Sequence, residues 1–267
     1  MRAIILAAGE GTRLQPYTVD RPKCLVELAG KPLLAHQIAS LESAGVTDIT
    51  IVTGYRAAQI ADWGYRTRHN PDYASSNMVA SLMCAADVLE GSDDVLIAYA
   101  DIVYETRILE ALCACPAAIA TTVDLAWLPL WKLRSEDPLS DAETLKLDAV
   151  GNILELGQKT DSYDDIEGQY MGLIKVRADK AQELVATYQQ LDPHRLYDGK
   201  DRLNLYMTSF LQYLIDHGQS ICAVLVNGGW LEVDSASDLE LFNRMYDDGS
   251  LDEYWHMTMG EEMACPC

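Results

Sequence analysis

What the chain lacks narrows it first. No apolar run approaches the ~20 residues that a helix needs to cross a bilayer, and the start has neither the h-region nor the small-residue cleavage site of a signal peptide. A soluble, cytoplasmic protein is the expectation. Positive charge is scarce: 20 Lys and Arg face 41 Asp and Glu, a formal charge of −21 that repels nucleic acid and anionic membrane surfaces alike. Neither is an expected partner. The seven cysteines are odd in number and stand singly except for Cys113/Cys115 and Cys265/Cys267, without the C-x-x-C spacing of common zinc sites. Reduced thiols are expected, and the C-terminal CPC receives no function. His36, His69, His194, His217 and His256 fall into no ligand spacing, and no Ser-His or Cys-His arrangement stands out. Internal repeats and Ser/Gly/Pro linkers are missing too.

What is present suits a large core, since 49% of 267 residues are hydrophobic. Apolar β-rich runs recur with helical stretches between them: RAIILAA, DITIVTG, DVLIAYAD, AAIATTV, NILELG, YMGLIKV and ICAVLV. Such alternation predicts βαβ units and a mainly parallel sheet. Leu33, Leu34, Ile38 and Leu41 recur at helical spacing before Gly45, and Asn77 to Leu89 reads as another helix. A helix from about Leu203 to His217 follows in the second half. Near the end Ser235 can cap a helix whose Leu239, Leu241 and Phe242 form an apolar face. The tail after Tyr246 is acidic and Met-rich.

With so few cations, basic residues beside glycine turns become informative. The chain opens MRAIILAAGEGTRL, an apolar run ending at Gly9 and Gly11, with Thr12, Arg13 and then Lys23 where a turn would release them. Glycines there let backbone N–H groups approach a phosphate, and side chains on the same turn add charge-assisted contacts. Two rival phosphate loops do not fit. G-x-x-x-x-G-K-[ST] is absent, and the dinucleotide fingerprint wants a third glycine where Arg13 and Leu14 stand.

LAAGEGTRL, continued through PYTVDRPKCLVELAGKPLL, resembles the signature of the nucleotidyltransferases that handle sugar phosphates and phosphocholine. NPDYASSNMVASL, YADIVY, NLYMTSFLQYLI and GGWLEVDSASDL extend the resemblance over most of the chain, closest to phosphocholine cytidylyltransferases and their small-phosphonate relatives. The resemblance implies a Rossmann-like, three-layer α/β fold with a mixed, mainly parallel central sheet. It implies a single domain over residues 1–250, with a nucleotide-binding half (1–125), an acceptor-binding half (126–250) and an acidic tail at 251–267. The partners it implies are CTP and a small phosphorylated or phosphonate acceptor, with Mg²⁺ as cofactor and a homo-oligomer possible.

Residue by residue, Arg13 is expected on the β- and γ-phosphates, and the resemblance places Lys23 on the α-phosphate. Leu6, Ala7, Ala8, Gly9, Gly11 and Thr12 complete the turn. Asp101 ends an apolar strand where sheets present ligand groups, and Asp234 matches the family's metal-binding E-(I/V)-D segment. Both are expected on one cation. Asn77 and Ser81 carry over beside the base, although helix polarity alone would explain them. A cationic head group is drawn to π-faces and carboxylates, which nominates Trp127, Trp131, Tyr170, Tyr206, Trp230 and Glu232. An ordinary core or interface role competes for each ring.

Two departures stand out. Tyr206, Met207 and Thr208 occupy a stretch where phosphocholine enzymes carry an acidic residue, which favours a neutral or smaller head group than choline. Gln158 precedes Lys159 where the family commonly has glycine before lysine, so Lys159 is either an acceptor-phosphate ligand or a solvated loop lysine. The expected reaction is in-line attack by the acceptor on the α-phosphorus of CTP with release of pyrophosphate. The alternatives are a sugar-1-phosphate nucleotidyltransferase and, more remotely, a non-catalytic nucleotide-sensing or assembly subunit.

Overall fold

The computed structural model describes residues 1–257. Cys265 and Cys267 lie outside the described residues. In chain order the strands are β1 (Arg2–Ala7), β2 (Glu27–Leu28), β3 (Lys31–Pro32), β4 (Asp48–Thr53), β5 (Arg66–His69), β6 (Val95–Tyr99), β7 (Ile102–Tyr104), β8 (Ile119–Asp124), β9 (Glu143–Leu147), β10 (Ile153–Lys159), β11 (Gln169–Val176), β12 (Cys222–Val226) and β13 (Trp230–Glu232). The helices are α1 (Leu33–Ser43), α2 (Ala57–Ala61), α3 (Met78–Met83), α4 (Ala86–Leu89), α5 (Thr106–Ala114), α6 (Trp127–Arg134), α7 (Ala178–Gln190), α8 (Met207–Asp216) and α9 (Ala236–Asp248).

A seven-stranded sheet runs β12-β8-β11-β6-β1-β4-β5. It is parallel at β1–β4, β1–β6, β4–β5 and β8–β12, while β11 alone runs antiparallel to both its neighbours. Strand periodicity sends alternate residues to opposite faces, and both faces are buried. Ala3, Ile5 and Ala7 join the core beneath α1, α5, α6 and α9, whereas Ile4 joins the core beneath α3, α7 and α8. A near-continuous apolar run such as RAIILA is what a strand covered on both sides requires. The result is a helix–sheet–helix sandwich, the expected fold class. No helix among the described residues is long and apolar enough to cross a membrane.

The structure departs from the sequence expectations in particular places. NILELG does not join the central sheet; β10 pairs antiparallel with β9 in a separate two-stranded ladder. Ile153 and Leu156 are buried but three residues apart, with register shifts around them and Leu154 exposed. Such a segment buries one face only. The helix expected from Asn77 to Leu89 divides into α3 and α4, with Asn77 Oδ1 accepting the Met78 N–H at 2.8 Å as its cap. The helix expected from Leu203 begins at Met207, because Asp201 Oδ1 draws the Asn204 backbone N–H (2.9 Å) and side-chain amide (3.1 Å) into a turn first. Ser235 caps α9 as expected, in a capping box with Asp238. The stretch after Ser250 is not free throughout, since Leu251 and Trp255 are buried and Trp255 meets His36 edge-on at 5.1 Å.

One small ladder positions the site. Beyond β6 the chain turns into β7, which pairs antiparallel with β13, and the Val233 N–H donates to the Asp101 carbonyl at 2.9 Å. Residues 101 and 234, 133 positions apart, thereby become neighbours at the carboxyl edge of the sheet. That edge is where open α/β sheets bind ligands.

Candidate active site

β1 ends at Ala7 and the chain turns through Ala8 to Gly11 into a single helical turn, Thr12–Leu14. Gly11 has φ +65°, and a Cβ there would lie 2.9 Å from Cβ of Lys23. Glycine is therefore required twice, for the left-handed backbone and for the close passage of the lysine. Thr18 Oγ1 donates to the Gly11 carbonyl at 2.8 Å and ties the two ends of the loop. Lys23 is thus folded back against the glycine turn.

Lys23 Nζ donates to Asp101 Oδ2 and to Asp234 Oδ1, each at 2.9 Å, and Arg13 forms a further ion pair with Asp234. The Lys23, Asp101 and Asp234 side chains are 16%, 17% and 12% exposed, so water screens their attraction only weakly. Burial alone would lower the Lys23 pKa; the two carboxylates outweigh it and hold the amine above its ordinary value. Burial likewise works to raise Asp234, yet Lys23 and Arg13 hold it below the usual carboxylate range. Asp101 Oδ1 is buried with no hydrogen-bond partner among the described residues.

Two cavities open on either side of this cluster. The first, about 280 Å³, is lined by Leu6, Ala7, Ala8, Gly9, Gly11, Thr12, Arg13, Lys23, Asn77, Ser81 and Asp101, the residues expected around a nucleotide, together with Asp234. It also takes in Tyr73, Ser76, Met78 and Tyr99, which the sequence reading had not singled out. Tyr73 and Ser76 lie in the quoted NPDYASSNM segment. The first residue of that segment, Asn70, is 3% exposed and donates to Ser76 Oγ (3.0 Å) and Ser81 Oγ (2.9 Å). Asn77 and Ser81 therefore face the cavity and also carry structural hydrogen bonds.

The second cavity, about 180 Å³, shares Arg13, Met78, Tyr99 and Asp234 with the first. Of the expected acceptor residues, Tyr170, Tyr206 and Glu232 line it, as does Trp131. Trp127, Trp230 and Lys159 do not. Trp230 is 1% exposed, donates Nε1–H to Asp124 Oδ2 at 2.9 Å and packs behind Trp131 with ring centroids 6.0 Å apart. Trp127 meets Trp131 edge-on at 5.9 Å and stacks on Tyr163 at 6.2 Å. Both rings support the cavity wall from the rear. Lys159 Nζ is exposed and points at the backbone carbonyls of Ser140 (3.5 Å) and Asp141 (3.4 Å).

The wall also contains Thr208, from the stretch that departs from the phosphocholine enzymes, and three polar groups missed in the sequence: Asp141, Glu143 and Gln169. Glu143 sits on β9, the partner of the displaced β10, so no local motif marks it. Burial pushes its carboxyl up to about 7, helped by the nearby Asp141 and Asp198 and opposed by Lys159. Burial also pushes Glu232 upward, with Arg134 opposing and Asp101 and Asp234 adding to the rise. Tyr170 reaches the cavity because β11 changes register after it, where Gly172 (φ +78°) lets the Tyr99 ring lie where a Cβ would be, 2.7 Å away. Tyr99 and Tyr170 then meet edge-on at 5.8 Å. The whole is a Gly-rich turn, two cations and two converging carboxylates between a polar cleft and an acidic, aromatic one.

The MobA-like NTP transferase domain matches residues 3–158. A CTP:phosphoglutamine cytidylyltransferase of Campylobacter jejuni is 43% identical over 250 residues, covering 90% of this chain and 98% of that protein. A CMP-5'-(3-aminopropyl)phosphonate synthase of Streptomyces rubellomurinus is 32% identical over 165 residues, covering 59% of this chain and 26% of its own length. Among solved structures, a CTP:phosphocholine cytidylyltransferase of Streptococcus pneumoniae superposes with a TM-score of 0.66 at 21% identity, covering 91% of this chain and 98% of that one. That likeness carries the fold.

Proposed function

The chain belongs to the MobA-like NTP transferase family and, within it, to the cytidylyltransferases, and from that premise we propose that it transfers CMP from CTP to a small phosphorylated acceptor bearing an amino group, with Mg²⁺ bound and pyrophosphate released. The observation that carries this reading is the shared wall: Arg13 and Asp234 border both cavities, so a triphosphate in one and an acceptor phosphate in the other would meet there. A neutral sugar 1-phosphate such as glucose 1-phosphate has no cationic group to answer the acidic and aromatic acceptor wall. A non-catalytic subunit would not need Arg13, Lys23, Asp101 and Asp234 gathered at one point.

In the reaction an oxygen of the acceptor phosphate attacks the α-phosphorus of CTP. A new P–O bond forms as the bond to the β-phosphate oxygen breaks, and the electron pair leaves with pyrophosphate. The attacking oxygen is anionic near neutral pH, so neither a general base nor a covalent enzyme intermediate is required; positioning and charge stabilisation carry the rate. Lys23, held between Asp101 and Asp234 in the free protein, exchanges onto the α-phosphate oxygens. Arg13, 69% exposed at the mouth of both cavities, grips the leaving phosphates. The turn at Gly9 and Gly11 brings backbone N–H groups to the same oxygens. Asp101 and Asp234 suit Mg²⁺, because they already converge on a cation and Asp101 Oδ1 lacks a partner among the described residues. When bound, Mg²⁺ would neutralise charge developing on the departing pyrophosphate.

The acceptor wall favours an amino group over a quaternary one. A primary ammonium can donate hydrogen bonds to the half-buried Glu143 and also lie against Trp131, Tyr170 or Tyr206; a trimethylammonium can do only the second. Phosphoglutamine, the acceptor named for the Campylobacter jejuni relative, combines a phosphoryl and an amino group. An aminoalkylphosphonate is the second reading, supported by the Streptomyces rubellomurinus relative. The test is pyrophosphate release from four NTPs against phosphoglutamine, 2-aminoethylphosphonate, 2-hydroxyethylphosphonate, phosphocholine and glucose 1-phosphate. CTP with phosphoglutamine should turn over fastest. Faster turnover of glucose 1-phosphate with any NTP would refute the reading.

A further inference from the structure

Arg134, the last residue of α6, lines neither cavity, yet it joins them. Its side chain is 7% exposed. Nη1 donates to Glu232 Oε2 at 3.0 Å, while Nε and Nη2 donate to Asp238 Oδ1 and Oδ2 at 3.2 and 3.3 Å. The guanidinium also lies 5.0 Å from the Trp131 ring centroid. Asp238 Oδ2 in turn accepts the backbone N–H of Asp234 (3.1 Å) and of Ser235 (2.9 Å). One buried cation therefore touches two members of the acceptor wall, Trp131 and Glu232, and through one carboxylate holds the peptide that carries Asp234.

A helix cap alone does not call for this arrangement. The capping box closes between Ser235 and Asp238 without outside help, and buried arginine is costly unless its fork is fully used. Here the fork is used on both sides: one edge on Asp238, the remaining nitrogen on Glu232, a face on Trp131. Only a planar, multidentate cation can span these partners; a lysine would supply a point charge and fewer directed donors.

We propose that Arg134 is a positioning residue that fixes the acceptor wall relative to Asp234, so that the acceptor phosphate arrives in line with the α-phosphorus. The inference rests on the cytidylyltransferase reading and adds a residue to it. Its reach is selective. Arg134 touches the acceptor wall directly, through Trp131 and Glu232, but reaches the nucleotide cavity only at one remove, through Asp238 and the Asp234 backbone, so use of the acceptor should suffer far more than binding of CTP.

The experiment measures kcat and the two KM values by pyrophosphate release with CTP and phosphoglutamine, alongside thermal melting, for the unsubstituted protein, R134K, R134Q and S235A. Both Arg134 variants should lose roughly 10- to 100-fold in kcat/KM for the acceptor, the range found when a residue that orients a ligating group is removed, with KM for CTP within about twofold. S235A weakens the same helix cap without touching the guanidinium; it should melt earlier yet keep acceptor kcat/KM within about twofold. If R134Q does not fold, R134K decides by the same criteria. Arg134 variants that melt earlier but keep their acceptor kcat/KM, or that raise both KM values in parallel, would overturn the proposal. No turnover by the unsubstituted protein with any NTP and acceptor would overturn the reading beneath it as well.

Discussion

The nucleotide-side cavity takes its largest single share, residues 6–9 and 11–13, from one strand and its turn and adds Lys23, Asn77, Ser81, Asp101 and Asp234 from elsewhere, whereas the acceptor-side cavity collects Trp131, Glu143, Tyr170, Tyr206 and Glu232 from five separate segments. The first is in large part written along the chain. The second is made by packing: α6 brings Trp131, the β9–β10 ladder brings Glu143, a register change in β11 brings Tyr170, and the β7–β13 ladder brings Glu232. The chemistry of binding differs accordingly. On the proposed reading, phosphates would be gripped by backbone and cations that any nucleotide can use, while the acceptor would meet side chains whose neighbours set their charge. The first region should tolerate little change, and the second should be tunable.

The largest effect should come from the contiguous side. K23A should lower kcat by about 10²- to 10³-fold, the scale of losing one charge-stabilising donor, measured by pyrophosphate release; a fall of less than tenfold would remove Lys23 from the reaction. D101N should act in the same direction while melting near the unsubstituted protein.

On the dispersed side the two tryptophans separate wall from support. W131A should raise the acceptor KM about tenfold, the upper range for a cation over an aromatic face. W230A should cost about 3–5 kcal/mol of stability as a buried Trp truncation and raise the acceptor KM less than W131A does. The reverse ranking of the KM values would move Trp230 into the pocket.

Glu143 supplies a pH test. Its folded pKa, up to about 7, lies above the ~4.3 of an unfolded glutamate, so the native state holds the extra proton between those values and stability falls as pH rises through that window. E143Q should remove this slope and be more stable than the unsubstituted protein at pH 8, as read by thermal melting across that pH range. The same ionisation should make acceptor kcat/KM rise as pH passes about 7, a limb that E143Q should flatten. A pH profile identical in the two proteins would take Glu143 out of acceptor recognition. Smallest of all, K159A should leave both KM values within about twofold, as expected for an exposed surface side chain; a tenfold rise in the acceptor KM would restore it as a phosphate ligand.

This contrast also explains what could be read in advance. Periodicity gave β1, α1, β4 and β6, because strands covered on both faces must be apolar throughout, and a glycine turn after the first of them announces a phosphate. Asp101 and Asp234 were visible as strand-end aspartates, although only the β7–β13 ladder brings them together. The acceptor wall was legible as a composition, aromatic and acidic, but not as an address. Trp127, Trp131 and Trp230 look alike in one dimension; which ring faces the cavity and which support it depends on how α6 packs on β13. Lys159 seemed informative because of its neighbours in sequence, whereas its hydrogen bonds turn it toward the Ser140–Asp141 backbone. Arg134 carries no motif, and its partners lie 98 and 104 residues away.

The central claim is that the two cavities are the two halves of one reaction site, joined at Arg13 and Asp234. A crystal structure with the CDP-linked product tests it most directly. The account predicts cytidine against Leu6–Ala8, Asn77 and Ser81, the diphosphate between Arg13, Lys23 and Asp234, and the amino head group against Glu143 and Tyr170. A product lying wholly within the first cavity, or with its diphosphate away from Arg13 and Asp234, would contradict it.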